Sequence, residues 1–210
     1  MTILDIHTHN PVACEAVISC NVDAFHPQPG KLYSVGLHPW HTASATDDDL
    51  RLIQTLATHP QVVAIGETGL DTLRGAPLNR QLALLEQHIA IAEQVRKPVI
   101  AHCVRASQQL ATLWRRTGPH RVDIAVHGFR GNERVARTLL DAGCWLSYGL
   151  RHNADAVAAT PLSRLLVETD DADIDITAVV AAVAQARGIE PATLEQQARS
   201  NVAAFLQHGR

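Results

Sequence analysis

The sequence predicts an α/β protein, a distorted TIM-like (β/α) barrel in a single domain spanning residues 1–210, with a shortened first crossover. Three observations carry this expectation. Short apolar runs alternate with longer runs of helical periodicity, a pattern that means parallel strands joined by right-handed crossovers. Eight such strand-like runs can be drawn, which is enough to close a barrel, although an open doubly wound sheet has the same local signature. A histidine, glutamate or aspartate closes most of them.

The strands are expected at residues 3–9, 16–20, 32–38, 62–71, 99–104, 122–129, 144–148 and 165–170. Between His9 and Ala16 there is no room for a helix, so the first crossover must be short and the barrel distorted there. A helix is expected at 47–57, capped by Thr46 or Asp47, with Asp47, Asp48 and Asp49 favoured at its positive end. The clearest helix is 78–95, where Leu78, Leu82, Leu85, Ile89 and Ala92 form one apolar stripe between Pro77 and Pro98. Further helices fit 106–116, 132–142 with Gly143 closing it, 174–187 and 191–206. The last two follow one another without an intervening strand, a second departure from the ideal repeat.

At 210 residues the chain suits one core and leaves little for a second domain. Hydrophobic residues make up 46% and aromatics only 4%, so Ala, Leu, Val and Ile must build that core. No apolar run approaches the ~20 residues that span a bilayer, and the opening Met-Thr-Ile-Leu-Asp-Ile-His reads as a strand, not a signal segment. A cytoplasmic protein without a membrane partner is expected. Cys14, Cys20, Cys103 and Cys144 form no C-x-x-C pair, so free buried thiols are expected and a zinc cage is not. A net charge of −3 with no Lys/Arg block argues against a basic face that grips duplex nucleic acid. Any phosphate must be held locally. A monomer without an obligate protein partner is expected.

Histidine is the unusual residue, at 12 in 210. In a barrel of this kind chemistry sits at the C-terminal strand ends, and reading those ends in order gives His7 and His9, His38, Glu67, His102, His127 and Asp170. Alternation along a strand puts His7 and His9 on one face, with Asp5 also inside and Ile6 and Thr8 turned away. Asp5 is expected to orient a ligand imidazole, and parity puts Glu168 inside beside Asp170. Each residue alone has a plain structural alternative: a helix cap or surface acid for Glu67, a hydrogen-bonded core histidine for His102 or His127. Together, four imidazoles and two carboxylates ending separate strands make a nitrogen and oxygen donor set without thiolate, suited to Zn²⁺, Mn²⁺ or Mg²⁺. The other histidines, His26, His41, His59, His88, His120, His152 and His208, are given no chemical role.

The blocks Asp5-Ile6-His7-Thr8-His9, Gly36-Leu37-His38-Pro39, Ile65-Gly66-Glu67-Thr68-Gly69-Leu70-Asp71, Pro98-Val99-Ile100-Ala101-His102, His127-Gly128-Phe129-Arg130-Gly131 and Val167-Glu168-Thr169-Asp170 occur in this order. They resemble the motif series of TatD-family metallohydrolases of the amidohydrolase superfamily, and Asn201-Val202-Ala203-Ala204-Phe205 is similar to the family's C-terminal signature. The resemblance implies two divalent metal ions. His7, His9 and Asp170 would hold one, and Glu67 would bridge to a second held by His102 and His127. It implies a phosphodiesterase or deoxyribonuclease acting on DNA ends or single strands. In such a centre the two ions would share and activate a water, with Asp170 the candidate to accept its proton and simple ligation its alternative role. The chain departs from the family in lacking a first helix, in Arg130 where a Thr is usual, and in Asp171-Ala172 where Ser-Pro is common.

Substrate positioning is expected of Arg105, an arginine the resemblance marks, then of Arg130 and His38, with a solvated loop role as the alternative. Trp40 is placed to stack a terminal base, worth ~1–3 kcal/mol, or to serve as a hydrophobic lid. Two other functions fit the same residues: hydrolysis of another small ester, amide or phosphoester, and a metal-binding accessory protein without turnover.

Overall fold

A computed structural model describes residues 3–207, Ala24 by its backbone only, so that His208 lies outside the described residues. Eight parallel strands close in chain order into a barrel. They are β1 (Asp5–Thr8), β2 (Ala16–Asn21), β3 (Leu32–Gly36), β4 (Val62–Asp71), β5 (Val99–Val104), β6 (Ile124–Val126), β7 (Trp145–Tyr148) and β8 (Leu165–Val167). The helices are α1 (Asp47–Leu56), α2 (Leu78–Val95), α3 (Ser107–Thr117), α4 (Glu133–Leu140), α5 (Ala154–Ala159), α6 (Ile176–Arg187) and α7 (Pro191–Gln207).

The helix ends follow from local chemistry. Thr46 and Asp49 cap α1 reciprocally, each side chain accepting from the other's backbone N–H. Asp175 caps α6, which therefore starts at Ile176 rather than 174, and Gly188, at φ 72°, ends it in the left-handed conformation. The first crossover is short, as expected. The second also lacks an α-helix, carrying only a 3-10 turn at Val22–Ala24, so the first α-helix follows β3. All four cysteines are free, but only Cys144 is buried and Cys14 is exposed. That corrects the expectation of four buried thiols, because Cys14 falls in the loop between β1 and β2.

The core has two main parts. Between sheet and helices, strand residues such as Ile65, Val99, Ile124 and Leu146 pack against Leu85, Leu110, Leu139 and Val183. Inside the barrel, Ile6, Val17, Ala64, Ile100, Ala125 and Leu166 join Val202 and Phe205 of α7. Phe205 meets Trp145 edge-on at 5.8 Å, so α7 closes the end of the barrel opposite the histidines. Asn201, within the C-terminal signature, donates to the Leu165 carbonyl at 2.8 Å and ties α7 to the start of β8.

Two strands break the period of two. On β1 the register to β2 shifts between Asp5 and Thr8, so Ile6 joins the interior cluster and is not turned away from the histidines. On β4 it shifts between Ile65 and Thr68. A Cβ on Gly66 or Gly69, both at positive φ, would run into the Ile100 and His102 carbonyl oxygens. These glycines let β5 approach closely on either side of Glu67, and the bulge turns that carboxylate inward. No helix among the described residues is long and apolar enough to cross a membrane.

Candidate metal centre

Glu67 sits at the middle of the C-terminal end, 5% exposed. Its Oε2 faces the β1 histidines, at 3.4 Å from His7 Nε2 and 3.3 Å from His9 Nε2. Its Oε1 faces three other imidazoles, at 2.8 Å from His127 Nε2, 2.9 Å from His102 Nδ1 and 2.9 Å from His38 Nε2. Asp170 Oδ1 lies 3.7 Å from both His7 and His9 Nε2. The two oxygens of one buried carboxylate thus meet two separate sets of nitrogens.

The backbone fixes this arrangement. Asp170 N–H donates to the His7 carbonyl and His9 N–H donates to the Asp170 carbonyl, stitching the first and last strands together at the ligands. Asp170 itself is held at φ 56°, a left-handed conformation uncommon for a residue with a Cβ. Glu168 is fully buried, with Oε1 accepting from Gly128 N–H and lying 3.3 Å from His127 Nδ1. It stands behind His127 on the side away from Glu67. Asp5 behaves differently from the expectation. Its carboxylate accepts from the backbone N–H groups of His7 and Thr169 and from the Thr169 hydroxyl, and it touches no imidazole. The β1 bulge accounts for this, because it breaks the parity that would align Asp5 with the His7 and His9 rings.

The electrostatics of the cluster follow from burial and from the pairing of these groups with one another. Burial opposes a charged His127, yet Glu67 and Glu168 outweigh it and hold its pKa well above the ordinary histidine value. Burial also opposes the Glu67 carboxylate, and His127, His102 and His38 reverse that to hold it well below the carboxylate range. His7 is pushed down by burial and by His127, and His9 is raised by its hydrogen bond to Glu67. Burial pushes Asp5 up to about 7 despite its Thr169 hydrogen bonds.

A divalent cation fits these residues. The His7 ring is fully buried, and among the described residues neither nitrogen is hydrogen-bonded, Glu67 Oε2 facing Nε2 at 3.4 Å, a condition that costs about 1–3 kcal/mol per unsatisfied group unless something else binds there. Three triads present ligand atoms within 4.8 Å of one another: His7, His127 and Asp170; His7, His9 and Glu67; His38, Glu67 and His102. The donors are nitrogen and oxygen throughout. Ligating imidazoles must be neutral, so a cation would displace the protons that Glu67 now attracts.

The centre opens into a cavity of about 880 Å³ lined by His38, Trp40, His41, Asp71, Arg105, Arg130, Arg151 and Asp170, among others. Arg130 Nη2 is 3.9 Å from Asp170 Oδ2, whereas the guanidinium groups of Arg105 and Arg151 have no hydrogen bond or ion pair among the described residues. Trp40 is 46% exposed, its indole N–H donating to Asp71 Oδ2 at 2.7 Å and its ring lying under the Arg74 guanidinium at 4.3 Å. His38, expected to contact the substrate, lies against Glu67 beside His102 and His127. Arg151 and Asp71 also face the cavity without a role expected of them from sequence; Asp71 carried a signal, since it stands four residues after Glu67 on one strand. His88, fully buried, accepts from Leu37 N–H and so anchors the strand end that carries His38.

Residues 20–207 match the family model of TatD related DNases. The chain belongs to that family. Among TatD relatives, the uncharacterised metal-dependent hydrolase YabD of Bacillus subtilis is 33% identical over 145 residues, 65% of this chain and 57% of that protein. The 3'-5' ssDNA/RNA exonuclease TatD of a Rahnella species is 35% identical over 152 residues, 65% of this chain and 56% of that one. The chain thus spans a little over half the length of these curated relatives. The fold is shared with the TatD homologue YjjV of Escherichia coli, at a TM-score of 0.84 and 22% identity over 97% of both chains. It is shared too with a TatD-family hydrolase of Entamoeba histolytica, at 0.80 and 16% over 98% of both.

Proposed function

We propose that this TatD-family protein is a metal-dependent phosphodiesterase that acts on the ends of single-stranded nucleic acid or on small phosphoesters. The observation that carries the reading is Glu67, whose two oxygens address two sets of imidazoles and so suit two divalent ions, Zn²⁺, Mn²⁺ or Mg²⁺. His7, His9 and Asp170 would hold one ion on the Oε2 side, and His102 and His127 the other on the Oε1 side. When bound, such ions supply Lewis acidity, acidifying water and offsetting negative charge on the phosphoryl oxygens.

The remaining roles belong to the chain. Asp170, 21% exposed at its side chain and facing the cavity, takes the proton of the attacking water on a carboxylate oxygen. Arg105 and Arg151, unpaired among the described residues on the cavity wall, and Arg130 hold the phosphate and neighbouring anionic groups. His38, next to Glu67, donates to a phosphate or leaving-group oxygen. Trp40 walls the cavity where a terminal base would lie. The net charge of −3 agrees with local capture of a strand end and not with a basic groove. The exonuclease name of the Rahnella relative supports the same substrate class.

The test is turnover of single-stranded DNA, a chromogenic phosphodiester, a lactone and an amide by protein stripped with chelator and then reloaded with each ion. Phosphodiester cleavage lost on stripping and restored by an ion is the expected result. Nuclease activity that persists after stripping and in His102→Ala rejects the reading, and lactone or amide turnover alone redirects it to another ester or amide.

A further inference from the structure

β4 places two carboxylates on one face, Glu67 and Asp71, and the Cα partner of His102 on β5 is Gly69, midway between them. The His102 ring therefore lies between two acids. Nδ1 is 2.9 Å from Glu67 Oε1, and Nε2 is 3.4 Å from Asp71 Oδ2. A neutral imidazole carries its proton on one nitrogen only, so the tautomer decides whether Nδ1 has a lone pair to give. With Nδ1 open to a cation, the proton sits on Nε2, and Asp71 is the carboxylate in front of it. Nε2 is buried and otherwise without a hydrogen bond.

Asp71 is held for this position from several sides. Its Oδ2 accepts from the Trp40 indole N–H at 2.7 Å and its Oδ1 from Leu73 N–H at 2.8 Å. The buried Gln81 amide of α2 takes the Asp71 N–H at 2.7 Å and donates to the Asp71 carbonyl at 2.8 Å. The same amide donates to the Ala76 carbonyl, and Ala76 N–H donates to Thr42 Oγ1, so the loops after β3 and β4 form one brace. Asp71 is 3% exposed, and these bonds hold its carboxylate on the cavity wall against the His102 ring. Glu168 stands in the same relation to His127 Nδ1, so His102 and His127 each have a carboxylate behind the ring, whereas His38 Nδ1 accepts from the Trp40 backbone N–H.

We propose that Asp71, braced by Trp40 and Gln81, is a positioning residue that fixes the ring and tautomer of His102 and thereby sets how tightly the Glu67 Oε1 side holds its cation. The inference rests on the metal-centre reading above. Trp40 then acts on the centre through its N–H, in addition to walling the cavity.

The test titrates Zn²⁺ into chelator-stripped protein by calorimetry, with the Co²⁺ absorption spectrum as a second readout and urea unfolding of the stripped protein as the fold control. Wild type is expected to bind two ions. Asp71→Asn is expected to bind one with wild-type affinity and the other about 10–100-fold more weakly, with an altered Co²⁺ spectrum. Trp40→Phe, which keeps an aromatic ring and deletes the N–H, is expected to weaken the same site by a smaller factor. Unchanged affinities and spectrum in folded Asp71→Asn overturn the proposal. Where Asp71→Asn does not fold, Trp40→Phe decides: a weakened second site supports the proposal and an unchanged one overturns it. His102→Ala separates the two readings. Wild type that binds no second ion, or binds it equally well without His102, defeats the metal-centre reading itself, and the proposal falls with it.

Discussion

At the end of the barrel closed by α7, Phe205, Trp145, Val202 and Ile3 meet one another with apolar surface. At the other end five imidazoles crowd one glutamate, and His7 lies fully buried without a hydrogen bond. The same eight strands run through both ends. Along β1, β4, β5 and β6 the residue types change from those that stabilise by leaving water to those that are costly to bury unless a ligand meets them. Substitutions at the two ends should therefore have separable effects.

The largest effect is expected at the polar end. Glu67→Gln is expected to lower phosphodiester kcat/KM by on the order of 10³-fold or more, while circular dichroism remains that of the folded barrel. A loss of less than about tenfold would break the assignment of Glu67. At the apolar end, Phe205→Ala is expected to lower the unfolding free energy by about 3–4 kcal/mol and to leave kcat/KM of the folded protein unchanged. A parallel fall in kcat would show that the two ends are coupled.

His88, which anchors the strand end carrying His38, gives a third, pH-dependent test. Burial lowers its pKa from 6.5 to about 4, so the unfolded chain takes up the proton first as the pH drops. Its contribution is complete above pH 6.5, declines as the pH falls toward 4, and amounts to about 3 kcal/mol over that window. In His88→Gln the pH slope of the urea-unfolding free energy should shrink by that amount, and an unchanged slope would refute the assignment. The smallest effect sharpens the contrast most. His7→Leu is expected to stabilise the metal-free protein by about 1–2 kcal/mol while abolishing binding of the ion on the Glu67 Oε2 side, because it replaces an unsatisfied buried ring with apolar surface. Destabilisation of the stripped protein would show that His7 is satisfied in some other way.

Much of this was legible in the residues. Strand-end polarity located His7, His9, Glu67, His102, His127 and Asp170, because a polar group closing an apolar strand has few structural reasons to be there. Helix α2 was legible to the residue, at Leu78–Val95, because its apolar stripe runs through many turns. Helix α5 was not, because six residues rich in alanine carry no readable period. Periodicity marks no helix between β2 and β3, and only a 3-10 turn forms there although the segment is long enough to hold one. Asp5 and Ile6 were misplaced by a bulge, which depends on how neighbouring strands pair and leaves no trace in one strand's own alternation. Asp71 obeyed the alternation, but its partner on β5 appears only once the register sets Gly69 opposite His102.

The backbone bonds between His7, His9 and Asp170 tie together segments more than 160 positions apart. The polar cup therefore depends on one of the most distant pairings in the barrel, the kind of contact whose loop-closure entropy slows folding.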